Sequence, residues 1–82
     1  MSEHPAYVYL LRCADGSLYT GWTTDVERRF AAHAKGTASR YTRTRLPVTL
    51  AASFPMSDRT AARKEEARIK RLSRSAKLAL LP

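Results

Sequence analysis

Several side chains in this 82-residue sequence are of types that can handle a phosphate ester. Two phenols, Tyr9 and Tyr19, sit in short stretches rich in Tyr, Val, Leu and Thr. Arg29 and His33 are four residues apart in a pattern of helical period, so they lie together on one helix flank. Glu65 and Glu66 are the interior acids of a later basic stretch, Asp58 to Leu72. Phosphodiester cleavage needs a proton acceptor for water, a cation on the phosphate and help for the leaving oxygen, and these residue types can supply them. Each also has a plainer reading. A strand tyrosine is usually a packing residue with its hydroxyl at the surface. His33 on a helix flank is more often a polar surface group. The two glutamates can pair with Arg68 and Lys70 along their own helix. Periodicity puts Glu65 near the middle of the apolar stripe and Glu66 at its edge, and does not choose between them.

Other chemistries lack their residues. There is no Ser-His-Asp pattern, Gly-rich phosphate loop or His-Glu-x-x-His. Two histidines and one cysteine give no zinc site. Cys13 is expected to be a small core residue at a strand end.

The elements that must position these groups can be read from pattern. Ala6 to Cys13 and Ser17 to Thr23 read as strands, joined by Ala14-Asp15-Gly16. A two-residue Asp-Gly loop would put Tyr9 and Tyr19 on opposite faces. A three-residue loop, a type I turn with Gly16 left-handed in a bulge, pairs Tyr19 with Leu11 and Tyr9 with Gly21 and puts both tyrosines on one face. The three-residue form is preferred, though sequence allows both. Thr24 or Asp25 caps a helix that runs to about Lys35 and stops at Gly36, with Val26, Phe30 and Ala34 inward. Thr37 to Leu46 has no periodicity and reads as a loop. Val48 to Phe54 reads as a third strand closed by Pro55. Ser57 caps a second helix, and Ser73 or Ser75 begins a last short one, whose Ala76, Leu78, Ala79, Leu80 and Leu81 cap the core. The expected fold is α+β: a small three-stranded antiparallel sheet flanked by three helices, in the order β-β-α-β-α-α. One domain over residues 1–82 is expected, with residues 1–5, including His4, as a flexible tail. A chain this short has a single economical core.

The net charge is +8 and the pI about 10.4. The cations fall into two groups, one around Arg28 to Arg45 and one from Arg59 to Lys77. That balance favours a polyanionic partner, nucleic acid before membrane. No apolar run approaches a membrane span, and a lone cysteine suits a reducing compartment, so a cytoplasmic location is expected.

In order along the chain, Val8-Tyr9-Leu10, Tyr19-Thr20-Gly21, Arg29, His33 and Glu66-Ala67-Arg68-Ile69-Lys70 resemble the motifs of the GIY-YIG nuclease superfamily, most of all its small single-domain members. The resemblance spans about Tyr7 to Leu81. It departs at the first motif, which reads Val-Tyr-Leu, and at Trp22, where some repair members carry a lysine beside the phosphate. Arg40, Arg43 or Lys70 would then supply that charge, or the lysine's task is absent.

The resemblance implies a divalent-metal-dependent endonuclease acting on DNA, with RNA not excluded and a role in repair or recombination by family analogy. It implies Tyr19 as general base, a role that a nearby cation favours because free tyrosine, with a pKa of about 10, is a poor base at neutral pH. Tyr9 would position the water or assist. Arg29 would hold the scissile phosphate, and His33 would hydrogen-bond a tyrosine hydroxyl or the phosphate. Glu66 would be the one protein carboxylate on a single Mg²⁺ or Mn²⁺ ion. Arg40, Arg43, Arg45, Arg63 and Lys70 are expected to contact nucleic acid, mostly at phosphates, which gives weak sequence specificity. The alternative is a DNA- or RNA-binding module without cleavage, and a recruiting protein partner is left open.

Overall fold

β1 (Ala6–Arg12) lies at the centre of a three-stranded antiparallel sheet, between β2 (Leu18–Thr23) and β3 (Thr49–Met56). The structure is a computed structural model that describes residues 6–82, so the expected tail over residues 1–5 lies outside the described residues. The remaining elements are α1 (Val26–Ala34), α2 (Arg40–Arg43), α3 (Arg59–Lys70) and α4 (Arg74–Leu78). The expected α+β order β-β-α-β-α-α holds, with α2 as one extra helical turn inside the segment read as a loop.

A central strand is covered on both faces, and β1 accordingly has few polar residues. Ala6, Val8 and Leu10 pack with Ala52 of β3 and with Ala62 and Ile69 of α3. Tyr9 and Leu11 point the other way, into a second cluster with Cys13 and Val48, against which Tyr19 and Phe30 pack. Burying each large apolar side chain contributes about 1.5–3 kcal/mol, so these clusters hold the sheet between its helices. Leu80 and Leu81 pack on the first cluster as expected. Ala76, Leu78 and Ala79 are not among the residues packed on it, and Leu78 and Ala79 are exposed.

The hairpin takes the three-residue form. Gly16 N–H donates to the Cys13 carbonyl at 2.9 Å, and Cys13 N–H to the Ser17 carbonyl at 2.9 Å. Gly16 has φ 85°, the left-handed conformation the bulge requires. The register is Leu11↔Tyr19 and Tyr9↔Gly21, so both tyrosines face α1. Gly21 leaves room for the Tyr9 ring: a Cβ there would stand 2.5 Å from Tyr9 Oη and 2.6 Å from Cζ. Gly21→Ala is therefore expected to push Tyr9 from its seat and destabilise the domain by about 1–3 kcal/mol, the usual cost of overpacking. Thermal unfolding reads this directly, and an unchanged midpoint would contradict it.

Several boundaries differ from expectation for local reasons. β3 runs through Pro55 to Met56, because an edge strand has no second neighbour needing the missing N–H. A register shift lies between Leu10 and Leu11, which pair with Ala52 and Leu50. Asp58, not Ser57, caps α3, with Oδ1 accepting from Ala61 N–H at 2.7 Å. Asp25 caps α1 and Ser73 caps α4. In α1, Ala34 is exposed and His33 is the buried residue, so the inward face is rotated from the expected stripe.

Candidate active site

The α1-facing side of the hairpin gathers three rings. The Tyr9 and Tyr19 centroids are 6.5 Å apart. His33 meets both edge-on, at 5.7 Å from Tyr9 and 5.1 Å from Tyr19. The Tyr9 hydroxyl and His33 Nε2 are 2.8 Å apart, and Tyr9 is only 2% exposed. His33 is fully buried, so the plainer alternative of a polar surface group does not hold. The wall of aromatic rings and the hydrogen bonds to its two nitrogens offset the cost of burying an imidazole. Tyr19 is half-buried, so it is the more accessible of the two phenols.

Arg29, one turn before His33 on α1, is half-buried and acts on both buried groups. Burial raises the Tyr9 phenol above its ordinary value, and the Arg29 guanidinium partly offsets this. Burial first, then the charge of Arg29, hold the His33 imidazole below its ordinary value. Both are thus neutral near neutral pH. Arg29 Nε is buried and has no hydrogen-bond partner among the described residues. A buried guanidinium N–H without an acceptor costs free energy, so this atom is poised for an incoming acceptor.

Lowered basicity at His33 has a stability consequence. As pH falls through the ordinary histidine value of about 6.5, the unfolded chain binds a proton that native His33 resists. Stability contributed by neutral His33 is present above that value and is lost as pH drops from there towards the lower folded value. The expected result is a falling unfolding midpoint between about pH 7 and pH 5, with a shallower slope in His33→Asn. Equal slopes in the two proteins would remove His33 as the cause.

The two glutamates of α3 are in different situations. Glu65 gives both oxygens to the Arg68 fork, at 2.9 and 2.7 Å. Glu66 makes one longer contact, 3.4 Å to Lys70 Nζ, and its side chain is 20% exposed against 31% for Glu65. Glu66, not Glu65, is therefore the deeper acid, and its charge reaches Tyr9, whose phenol it helps to raise. Among the described residues, no three His, Cys, Asp or Glu side chains gather to hold an ion. A single half-buried carboxylate with one oxygen uncommitted suits a hard cation that keeps most of its water, as Mg²⁺ does.

The other expected contacts spread over distinct surfaces. Arg63 lies 5.6 Å from the Trp22 ring centroid, and Arg29 and Arg59 share a hollow of about 370 Å³ with Trp22, Thr23 and Thr24. Arg29, Arg59 and Arg63 are thus cations beside Trp22. Arg40 and Arg43 line a separate hollow with Gly36, Thr37, Ala38 and Ser39. Lys70 pairs with Glu66, and Arg45 with Asp15 at 3.0 Å. Sequence reasoning missed Tyr41, whose ring is 5.8 Å from Tyr19, and Thr42, whose Oγ1 is 2.8 Å from His33 Nδ1. The available signal was an aromatic and a small hydroxyl behind Ser39, itself a good helix cap.

An antiparallel sheet thus presents two tyrosines to a histidine- and arginine-bearing helix, and the charge of a glutamate on a second helix acts on one of them. The family model for the GIY-YIG catalytic domain matches residues 5–79, and the chain belongs to that nuclease superfamily. Within it, the chain is similar to small proteins called UPF0213. One from Xanthomonas axonopodis pv. citri (strain 306) is 52% identical over 94% of this chain and 76% of its own length. Another from Streptococcus sanguinis (strain SK36) is 49% identical over 96% of this chain and 91% of its own. The solution NMR structure of a UPF0213 protein from Bacillus halodurans superposes with a TM-score of 0.59 at 47% identity, over 92% of this chain and 80% of that one. GIY-YIG nucleases generally use divalent metals and act on DNA. Among the described residues, no helix is long and apolar enough to cross a membrane.

Proposed function

We propose that this protein is a divalent-metal-dependent endonuclease that hydrolyses DNA phosphodiester bonds, with structure-specific cleavage in repair or recombination as its setting. The observation that carries the reading is the cluster of Tyr9, Tyr19 and His33 beside Arg29, whose buried Nε lacks an acceptor. An anionic phosphate oxygen supplies that acceptor.

Arg29 holds the scissile phosphate and offsets the charge that develops on it. Tyr19, the more accessible phenol, first gives its own proton to solvent and then, as the phenolate, takes the proton from the attacking water. Tyr9, fixed to His33, orients that water and keeps the pocket rigid. Glu66 would hold one Mg²⁺ or Mn²⁺ ion, which when bound would supply Lewis-acid stabilisation of the leaving oxygen. Arg59 and Arg63 flank Trp22 and bind the strand through its phosphates, while Arg40, Arg43 and Arg45 extend the basic surface. Phosphate contacts position the duplex without reading its sequence.

The test is nicking of supercoiled DNA by the wild-type protein and by Tyr19→Phe, purified identically, with Mg²⁺ and with EDTA. Cleavage that needs the metal, falls steeply as salt rises and is lost in Tyr19→Phe is expected. Equal residual cleavage in both proteins would point to a contaminant. Salt-dependent binding without hydrolysis would instead make the domain a non-catalytic DNA- or RNA-binding module.

A further inference from the structure

We propose that Thr42, clamped in place by an Asp15–Arg45 pair, is a positioning residue that holds the His33 ring in one tautomer facing Tyr9. The inference rests on the nuclease reading for its effect on cleavage, but not for its effect on the ring.

The hydrogen-bond inventory fixes the direction of the chain. The buried Tyr9 hydroxyl has one proton to place. Its polar neighbours are His33 Nε2 at 2.8 Å and Arg29, and a guanidinium offers only donors. The phenol proton can go to Nε2 only when the neutral imidazole carries its own proton on Nδ1, and in this buried site that tautomer needs an acceptor beside Nδ1. Nδ1–H then donates to Thr42 Oγ1 at 2.8 Å, and the Thr42 proton turns back towards the Ser39 carbonyl at 3.4 Å. Thr42 is fully buried, so no solvent substitutes for it.

Something must hold Thr42 there, because α2 is a single turn and a single turn does not persist alone. The hairpin tip supplies the hold. Arg45 Nε donates to Asp15 Oδ2 at 3.0 Å, and Ala14 N–H to the Arg45 carbonyl at 2.9 Å. The same guanidinium donates to the Tyr41 carbonyl at 2.9 Å and lies 3.8 Å from the Tyr41 ring centroid. Tyr41 in turn packs near Tyr19. The turn that sets the hairpin register thus also fastens the helical turn that orients the histidine.

The experiment compares the wild type, Thr42→Val, Thr42→Ser and Asp15→Asn. Nitrogen-15 NMR of the histidine ring reports the tautomer, and nuclease assays report kcat and KM separately. The wild type should show His33 with its proton on Nδ1. Thr42→Val, of the same shape but without the acceptor, should lose that preference and drop kcat about ten- to a hundredfold, the range for partners that orient an active-site imidazole, with KM little changed. Thr42→Ser should restore both readouts. Asp15→Asn, an exposed change that spares the core, should move them in the same direction as Thr42→Val but less. A wild-type His33 protonated on Nε2, or a Thr42→Val protein with an unaltered ring spectrum, would overturn the proposal. So would a kcat loss that Thr42→Ser does not restore. If the wild type does not cleave at all, the nuclease reading falls, and the ring spectra alone decide the tautomer assignment.

Discussion

Replacing Glu66 with alanine is expected to lower metal-dependent DNA cleavage by about a hundred- to a thousandfold while hardly moving the unfolding midpoint. A metal acting as Lewis acid contributes several kcal/mol to the transition state, and each 1.36 kcal/mol is a factor of about ten. In the proposed site that ion depends on one protein carboxylate. The folded state depends on Glu66 far less. Among the described residues its one ion pair is the 3.4 Å contact with Lys70, whose side chain is 51% exposed, and such pairs contribute only about 0–1 kcal/mol. Glu65→Ala is the matched control, since it removes a shorter, two-pronged pair with Arg68 from the same helix. Calorimetric titration with Mn²⁺ separates lost metal binding from lost turnover. Cleavage in Glu66→Ala equal to that in Glu65→Ala would remove Glu66 as the metal ligand.

The hairpin was legible because its turn chemistry and its strands agree. Ala14-Asp15-Gly16 can form the bulged turn, and only that register lets Tyr9 and Tyr19 share a face. The glutamate pair shows what periodicity lacks. It places both acids on the inner half of α3, but the distinction between them comes from Arg68, which engages Glu65 with both prongs. The burial of His33 was hidden for a related reason. The stripe Val26, Phe30, Ala34 follows hydropathy, whereas α1 packs against a sheet face that carries phenols, and phenols accept an imidazole as neighbour. Thr42 and Tyr41 were hidden more thoroughly. A four-residue helix has no period to detect, and its position is set by Arg45 reaching Asp15 thirty residues earlier. The site is therefore legible where one element determines it, and illegible where two distant segments determine it together.

Arg29→Lys is the most informative change on the cationic side, because it keeps the charge and removes the fork. Lysine offers a point charge on a flexible stem, whereas the guanidinium presents several N–H groups in one plane. Loss of a preformed donor to a developing anion typically costs about 10²–10³ in kcat, and that is the expected fall in cleavage. Stability should move little, or rise. In the protein without DNA, Arg29 Nε is buried without an acceptor, an arrangement unfavourable by about 1–3 kcal/mol. Two further effects follow from its neighbours. Arg29 opposes the burial that raises Tyr9 and adds to the burial that lowers His33. A lysine, whose charge sits further along a mobile chain, should relax both, so the histidine ring should titrate at higher pH in the variant. Cleavage assays, thermal unfolding and NMR titration of His33 together decide the matter. A marked loss of stability with cleavage intact would make Arg29 a structural residue and leave the proposed phosphate site without its cation.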